Sequence, residues 1–411
     1  MDMDAKITKY FERINYGAVQ RVRRESDMVL WPKSIAYHEL VTYINRTSTA
    51  IQGVRQLEPD AYPVSATMLR LCGIFDRLTL WLTHGKPSVA DAYRSWSLHM
   101  LRNIFNMLEQ ALPHNKCEHV SELGQYLAGS FGNYTRVDYG TGHELSFVFF
   151  LCGLFRAHIL LPADEPAAAL MLFNRYLSCV RRLQTQFDLK PAGNQGAYSL
   201  DDYQFVAYLW GAAQLCYHAP FNPKQLLDAE TLAQWRSQYL LAGCVAFVAS
   251  TKLGNFSTHS SQLWSVTALS SWTHVYHGVH NMYLKEVICQ FHLLRHICFG
   301  RLMRFDPAPV TRHLKRAQLG FLSIARQQYL SQTHDGTEMP QQQKQHGKKQ
   351  DEAHEDEDES LLPKYEISHS ALSTGKSVTS LSGTSVHLRS LAKRLSKLQE
   401  KHAKLKADLR N

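Results

Sequence analysis

The chain has 411 residues, of which 45% are apolar and 20% are charged, as in an ordinary globular protein. Its formal net charge of +9 suggests a nucleic-acid partner until that charge is located. Residues 307–411 hold 17 Lys and Arg against 12 Asp and Glu, which leaves 28 against 24 for residues 1–306. Because the main body is nearly neutral, the composition argues against a protein that binds nucleic acid.

The first residues, MDMDAKITKYFERI, are charged and lack an apolar stretch, so they do not predict a secretory signal. The longest apolar run, 147–161, is interrupted by Arg156 and His158 and is too short to span a bilayer. Eight cysteines are scattered without a CxxC pair, which indicates free thiols in a reducing compartment. We therefore expect a cytoplasmic or nuclear protein without membrane contact.

Apolar residues recur at helical spacing through most of residues 1–306, for example at Leu101, Ile104, Leu108 and Leu112. The short alternating runs joined by Asn-Gly or Asp-Gly turns that are typical of a β protein do not occur. The sequence therefore predicts an all-α fold, with helices near 36–54, 66–84, 92–112, 120–130, 143–161, 166–188, 200–217, 229–250 and 277–304.

Four parts are predicted along the chain: an N-terminal arm (1–21), one helical domain (22–306), a disordered linker (307–385) and a basic helix (386–411). The linker includes DEAHEDEDE (351–359) and a Ser/Thr-rich stretch, which together offer too little apolar surface to become ordered.

The last part carries a heptad pattern. Between residues 388 and 409 its apolar positions, which are six leucines and His402, alternate three and four apart. Three heptads are marginal for an independent coiled coil. The segment is therefore either a solvated basic helix or a helix that associates with itself or with a partner.

The stretch RVDYGTGHELSF (136–147) places two glycines at the start of an apolar helix. Such a turn suits an anion, because the first N–H groups of a helix lack intrahelical partners, and Arg136 supplies a forked cation. The alternative is a structural turn in which Asp138 pairs with Arg136.

The loop 191–199 precedes a second helical stretch, and Ser199 with Asp202 three residues later resembles a capping box. Asp202 would then hold the start of its own helix. The alternative is that Asp202 binds Mg²⁺ accompanying a nucleotide, because one carboxylate with loop carbonyls and waters suits this ion.

Two other motifs carry less weight. Residues 259–300 hold several histidines, but without an HExxH motif or an acidic ligand at matching spacing they are interpreted as amphipathic side chains on helix faces rather than as a zinc site. Residues 373–377 (STGKS) imitate the end of a P-loop but lack the glycine that should stand at Ser370.

Several longer motifs together resemble the phosphotyrosyl phosphatase activator family, the activators of serine/threonine protein phosphatase 2A. They are RVDYGTGHE (136–144), GAYSLDDYQF (196–205), WGAAQL (210–215), and the series SQLW, SSW, MYLKEV and FGRLM within 261–303. The resemblance covers roughly residues 22–306 and implies one helical domain with core and lid subdomains around a cleft.

The resemblance implies a function as well as a fold. Members of the family bind the catalytic and scaffold subunits of protein phosphatase 2A and use ATP with Mg²⁺ to promote the active phosphatase. They also carry a peptidyl-prolyl cis-trans isomerase assignment, which implies a proline-containing peptide as substrate. A water-poor cleft that favours the twisted amide needs no acid, base or nucleophile to lower the barrier of about 18–20 kcal/mol.

Site residues follow from the same resemblance, position by position. The nucleotide residues would be Arg136, Thr141, Gly142, Arg295 and His296. The Mg²⁺ ligands would be the Gly196 carbonyl and Asp202. The peptide cleft would be lined by Asp201, Tyr203, Trp210 and Met282.

This chain departs from the family pattern at several positions, and its tail has no counterpart there. The altered positions are Tyr198, Ser199, Ser271, His292, Arg295 and Arg301. Two other functions therefore stay open: a stand-alone prolyl isomerase, and a non-catalytic adaptor that binds the phosphatase and recruits a partner through its tail.

Overall fold

A computed structural model describes residues 18–56, 60–82, 88–193 and 199–333. The α-helices in these ranges, numbered in chain order, are α1 (Ile35–Ala50), α2 (Ala66–Leu80), α3 (Val89–Ala111), α4 (Val120–Ala128), α5 (Thr141–Arg156), α6 (Glu165–Ala167), α7 (Phe173–Gln186), α8 (Val206–Gln214), α9 (Ala229–Trp235), α10 (Leu240–Thr251), α11 (Phe256–His259), α12 (Ser261–Ser265), α13 (Trp272–Tyr283), α14 (Phe291–Leu294) and α15 (Ile324–Thr333).

Shorter elements join these helices. The 3-10 helices span Glu25–Val29, Trp31–Lys33, His114–His119, Pro162–Asp164, Pro223–Gln225 and Val266–Ala268, and π-helical turns span Ala168–Leu172 and Leu284–Ile288. The two-residue strands are β1 (Val19–Gln20), β2 (Asp138–Tyr139), β3 (Lys190–Pro191) and β4 (Cys298–Phe299). The all-α prediction is confirmed.

Serine side chains begin four of the helices. Ser34, Ser65, Ser88 and Ser271 occupy the N-cap positions of α1, α2, α3 and α13, and each Oγ accepts the backbone N–H three residues later. This bond satisfies a donor that the helix itself leaves unpaired. One departure from the family pattern, Ser271, thereby has a structural explanation.

Helix α5 lies at the centre of the core. Its residues from Leu145 to Phe155 are all buried, as expected for a helix that is apolar on every side. The Phe147 ring stacks on Tyr176 of α7 with centroids 3.8 Å apart. On another side, Phe149 stacks with Trp31, whose indole N–H donates to the Ile288 carbonyl at 2.9 Å. These contacts fix the position of α5, and with it the turn that precedes it.

The small strands bring distant segments together. Strand β1 pairs with β4 in antiparallel orientation, and β2 pairs with β3 in parallel orientation. In the second pair Asp138 lies opposite Lys190 and Tyr139 lies opposite Pro191. The glycine turn and the loop that leads to residue 201 therefore begin side by side.

Several predicted helix boundaries were wrong. The helix predicted over 200–217 begins only at Val206, because the N–H groups of Tyr203 and Gln204 bond to the Asp201 side chain. The single helix predicted over 277–304 is instead α13, a π-helical turn, α14 and strand β4. Hydrophobic periodicity alone does not reveal such breaks, since the apolar spacing continues through them.

The linker predicted over 307–385 starts too early. Residues 307–333, here called the strap, lie alongside α1, run in the same direction as α1 and end in α15. Asn45 and Thr49 of α1, and Gln52 just after it, bond to the strap backbone at Lys315, Gln318 and Gly320. Polar side chains on one helix face thus order a segment that has little apolar surface of its own.

Parts of the predicted domain organisation lie outside the described residues. These are residues 1–17 of the arm, the linker from 334 onward, the basic helix 386–411 and its heptad pattern. Within the described ranges, no helix combines the length and apolar character that crossing a membrane requires.

Candidate functional site: the turn before α5

The glycine turn packs closely against the chain that follows β3. Gly140 is the N-cap residue of α5 and is extended, with φ −170°. A Cβ at Gly140 would lie 2.9 Å from the Ala192 Cβ and 3.1 Å from its carbonyl oxygen. Glycine is therefore required here by the close approach of Ala192, and its freedom in φ is not used.

A cavity of about 580 Å³ opens beside the first turn of α5. Its lining includes the side chains or backbone of Arg136, Gly142, His143, His292 and His296. The N–H groups of the first turn of a helix lack intrahelical acceptors and carry a partial positive charge. This end of the cavity is therefore suited to an anion.

Arg136 is engaged in a bidentate ion pair. Its Nε and Nη2 donate to Asp138 Oδ2 and Oδ1 at 2.6 and 3.2 Å, while the Arg136 side chain remains 54% exposed. The ion pair between Arg136 and Asp138 that was predicted for a structural turn is therefore present. The Arg136 guanidinium still lies at the wall of the cavity. A ligand anion would have to share this cation with Asp138.

The two histidines next to the helix start have lowered pKa values. Burial lowers the pKa of His143, whose Nδ1 lies 2.9 Å from the Gly129 carbonyl oxygen. Partial burial lowers the pKa of His296, with further contributions from the positive charges of Arg295, Arg136 and His292. The positive charges of Arg136 and Arg295 therefore lie close to His296, and an anion in the cavity would favour protonation of His296.

The predicted nucleotide residues are only partly brought together. Arg136, Gly142 and His296 line the cavity. Thr141 is 6% exposed in the first turn of α5, and its side chain is not part of the lining. Arg295 is exposed, with its guanidinium 5.5 Å from the centroid of the Phe291 ring.

The capping box predicted for Ser199 and Asp202 is not what begins α8. Asp201, one residue earlier, accepts the N–H groups of Tyr203 and Gln204 on Oδ1 and the Tyr208 hydroxyl on Oδ2, all at 2.8 Å. Asp202 instead lies 2.6 Å from the ammonium of Lys252, the residue that follows α10. The two adjacent aspartates thus have different roles, and Gly196 lies outside the described residues.

A buried carboxylate that sequence reasoning missed links the turn to this acidic loop. Glu144 of α5 is 0% exposed, and its Oε2 accepts the N–H groups of Phe205 and Val206 at 2.7 and 2.8 Å. Burial raises the pKa of Glu144 to about 8, although these hydrogen bonds act in the opposite direction. The signal in the sequence was an acidic residue inside an otherwise apolar helix.

The residues predicted to line a peptide cleft do not share one environment. Trp210 is fully buried against Phe173 and Tyr43 and reaches no open surface. Tyr203 and Met282 are partly buried, and the Tyr203 hydroxyl donates to the Leu189 carbonyl at 2.8 Å. Only Tyr203 and Met282 therefore offer partly exposed apolar surface to a peptide.

The remaining histidines and substituted positions are dispersed. His280 Nε2 lies 2.8 Å from Asn45 Oδ1, and His274 contacts Ser270 and Ser271. Arg301 is exposed, 3.6 Å from Glu118. Within the described ranges, no group of three or more His, Cys, Asp or Glu side chains is arranged to hold a metal ion.

Fold and site together define a helical protein with a cavity at a helix N-terminus that is lined by an arginine and three histidines. A buried glutamate joins this helix to an acidic loop. A family profile described as "Phosphotyrosyl phosphate activator (PTPA) protein" matches residues 18–305. The chain belongs to this family.

Curated relatives and a solved structure agree with this membership. The "Serine/threonine-protein phosphatase 2A activator" of Drosophila melanogaster is 42% identical over 310 residues, covering 74% of this chain and 77% of that protein. The "Probable serine/threonine-protein phosphatase 2A activator 1" of Dictyostelium discoideum is 31% identical and covers 70% and 90%. The crystal structure of the PP2A phosphatase activator Ypa1 PTPA1 is 27% identical, with a TM-score of 0.64 over 71% of this chain and 96% of that one.

Proposed function

We propose that this protein activates serine/threonine protein phosphatase 2A by binding its catalytic and scaffold subunits. The proposal is supported by membership of the family and by the names of the relatives. The observation that carries it is the cavity at the start of α5, lined by Arg136 and His296, beside the loop held by Glu144. Two family motifs thus lie together in one place, as a composite site requires.

ATP is the proposed ligand of the cavity. Its phosphates would lie against the first turn of α5 at Thr141 and Gly142, with Arg136 and His296 on the cavity wall and Arg295 approaching from the exposed side. The residues fit this group, because helix N-terminal amides and a forked guanidinium are the usual partners of phosphate oxygens.

Mg²⁺ would accompany the phosphates and neutralise part of their charge. Asp202 is the proposed protein ligand, and the Gly196 carbonyl remains a prediction outside the described residues. One carboxylate suits Mg²⁺, which keeps several of its waters. Because Asp202 is paired with the Lys252 ammonium at 2.6 Å, binding of the ion requires Lys252 to withdraw.

We further propose peptidyl-prolyl cis-trans isomerase activity toward a proline-containing peptide, which rests on the family resemblance. Tyr203 and Met282, which are partly buried, would contact the peptide. Asp201 and Trp210 would hold these surfaces in place, Asp201 through its three hydrogen bonds and Trp210 within the core. A protease-coupled peptide assay tests this activity, and a rate equal to the uncatalysed one excludes it.

The function is tested by reactivating an inactive preparation of phosphatase 2A with and without ATP–Mg²⁺, using wild type and Asp202→Ala. We expect wild type to restore activity with the nucleotide, and Asp202→Ala to restore less at the same melting temperature. Failure of the wild type both to bind and to reactivate the phosphatase would contradict the proposal. Reactivation that is indifferent to ATP and Mg²⁺ would contradict the nucleotide part alone.

A second candidate is a non-catalytic adaptor that binds the phosphatase and recruits a partner through its tail. The Lys252–Asp202 pair favours it, because it neutralises the carboxylate proposed for Mg²⁺. Capture of the phosphatase without any reactivation would distinguish this function from the first.

The proposed location is the cytoplasm or the nucleus. All eight cysteines lie within the described ranges, and all are free thiols. This state matches a reducing compartment. Fluorescence microscopy of the tagged full-length chain would check it.

A further inference from the structure

The strap and α1 enclose a second cavity. Its volume is about 990 Å³, and it lies between α1, the chain near Pro63, the chain near Pro162 and the strap. It shares no lining residue with the cavity beside α5. The match to the family ends at residue 305, so one wall of this cavity is built by chain outside the matched domain.

The strap wall is held in place by specific contacts. The Asn45 amide donates to the Lys315 carbonyl at 2.8 Å, and the Gln318 N–H donates to Thr49 Oγ1 at 3.0 Å. At the far end, the Tyr329 hydroxyl donates to the Asp60 carbonyl at 3.0 Å. The two walls of the cavity, α1 and the strap, are therefore already formed, as is usual for ligand sites.

The lining is strongly cationic. Four of its described residues are basic, namely Arg46, Lys315, Arg316 and Arg326, and the one described acidic residue is Glu165. Glu165 is buried and paired with Arg46, whose side chain is still 46% exposed. The exposed side chains of Lys315 and Arg316, with the exposed part of Arg46, thus present positive charge to one concave surface, which suits anionic side chains.

Two tyrosines and three prolines, namely Tyr62, Pro63, Pro162, Pro166 and Tyr329, also line the cavity, together with small and uncharged polar side chains. Grooves with aromatic and proline walls are typical of sites that bind extended peptides, and arginine clusters are typical of sites that read acidic or phosphorylated residues. A cavity of this volume is also at the upper end of the usual range for small-molecule sites.

We propose that the cavity between α1 and the strap binds an extended acidic peptide of a partner protein. The apolar walls would hold the peptide backbone and its small or proline residues. Arg46, Lys315 and Arg316 would pair with carboxylate or phosphate groups on its side chains. The site is distinct from the proposed nucleotide site and does not depend on it.

The test uses the full-length chain and two fluorescein-labelled pools of octapeptides. One pool has Glu at every second position and random residues between, and the other has Gln in place of Glu. Fluorescence polarisation should show saturable binding of the Glu pool and none of the Gln pool. In the double variant Lys315→Glu/Arg316→Glu the dissociation constant should rise about tenfold or more. Both side chains are exposed, so the change leaves the core intact.

The matched control is Lys224→Glu/Arg236→Glu, which makes the same charge change at exposed positions outside the cavity. It should bind the Glu pool as the wild type does. Equal weakening in both double variants would overturn the proposal, because it would show only a general effect of net charge. Absence of binding by the wild type, or equal binding of the two pools, would overturn it too.

A further experiment distinguishes binding of a peptide from binding of a free anion. Pyrophosphate is added to the labelled Glu pool at equal concentration, and a pool with phosphoserine at the same positions is measured in parallel. We expect pyrophosphate to leave the peptide bound and the phosphoserine pool to bind at least as tightly. Complete displacement by pyrophosphate would overturn the peptide proposal, since a free anion would then suffice.

Discussion

The carboxylate of Glu144 lies 2.7 Å from the backbone nitrogen of Phe205, a residue 61 positions further along the chain. The same oxygen accepts the N–H of Val206 at 2.8 Å. A side chain in the first turn of α5 therefore caps the start of α8 and fixes the glycine turn relative to the loop with Asp201 and Asp202. The two halves of the proposed nucleotide site are joined through this one group.

Replacing Glu144 should therefore cost stability. In Glu144→Ala two buried backbone N–H groups lose their acceptor, and we expect the free energy of unfolding to fall by about 2–4 kcal/mol. Glu144→Gln keeps one carbonyl oxygen for these groups and should lose less. Urea denaturation of both variants checks this. Equal losses of unfolding free energy in the two variants would show that the oxygen of residue 144 is not needed as a hydrogen-bond acceptor.

The same pair of variants tests the raised pKa of Glu144. Its pKa is about 8 in the folded protein against an ordinary value of 4.5, so the folded state holds a proton that the unfolded state releases between these values. The contribution of Glu144 to stability is complete below pH 4.5 and is lost as the pH rises toward 8. The stability of wild type relative to Glu144→Gln should fall over this range, and a difference independent of pH would contradict the assignment.

His280 should give the opposite dependence on pH. Burial lowers its pKa from 6.5 to about 4, with a further contribution from the charge of His277. The unfolded state therefore binds a proton that the folded state does not, and stability is lost as the pH falls from 6.5 toward 4. We expect wild type to lose about 1–3 kcal/mol more than His280→Gln over this range. His313→Gln, at an exposed position of the strap, is the control and should follow the wild type.

Gly300 and Gly278 form a matched pair for a steric test. A Cβ at Gly300 would collide with the Glu122 carboxylate, which accepts the N–H groups of Leu302 and Met303 at 3.0 Å. Gly300→Ala should therefore lower the free energy of unfolding by about 1–3 kcal/mol. Gly278 lies in α13 with no atom within 4 Å of the added Cβ, so Gly278→Ala should raise it by about 0.5–1 kcal/mol. The two melting temperatures should move in opposite directions.

Lys252 should compete with Mg²⁺ for Asp202. Their side chains are 22% and 17% exposed, and Lys252 Nζ lies 2.6 Å from Asp202 Oδ2. Lys252→Met removes the ammonium and leaves the carboxylate free, so Mg²⁺-dependent ATP binding should become several-fold tighter. Isothermal titration with and without Mg²⁺ measures this, and Lys190→Met, at the surface pair with Asp188, is the control. Unchanged or weaker binding would remove Asp202 from the proposed metal site.

The sequence predicted the helical class and the existence of most long helices, because apolar spacing reports burial on one face of a helix. It failed where the chain breaks a helix without changing this spacing, as between α13 and β4. It failed again at the strap, whose order comes from Asn45 and Thr49 on a distant helix and from Gln52 just after that helix. Long-range polar contacts of this kind leave no local pattern in the segment that they hold.

The candidate site was predictable in part. The motifs located the glycine turn and the loop beside it, and Arg136, Gly142 and His296 do line one cavity. The roles of the two aspartates could not be assigned, because Asp201 and Asp202 are adjacent and only geometry shows which one bonds to the backbone. The family resemblance placed Trp210 on the wall of the peptide cleft, but its ring is buried in the core.

The hydrogen bonds between α1 and the strap also determine where the folded unit ends. A chain cut after residue 306, where the family pattern stops, would expose the amides of Asn45 and Gln52, which are now 5% and 1% accessible. It would also free Glu39 from Arg312, its partner at 2.7 Å. A shortened protein meant to retain native solubility should therefore extend through residue 333. The match to the family ends at residue 305, but the contacts that complete the fold continue through the strap.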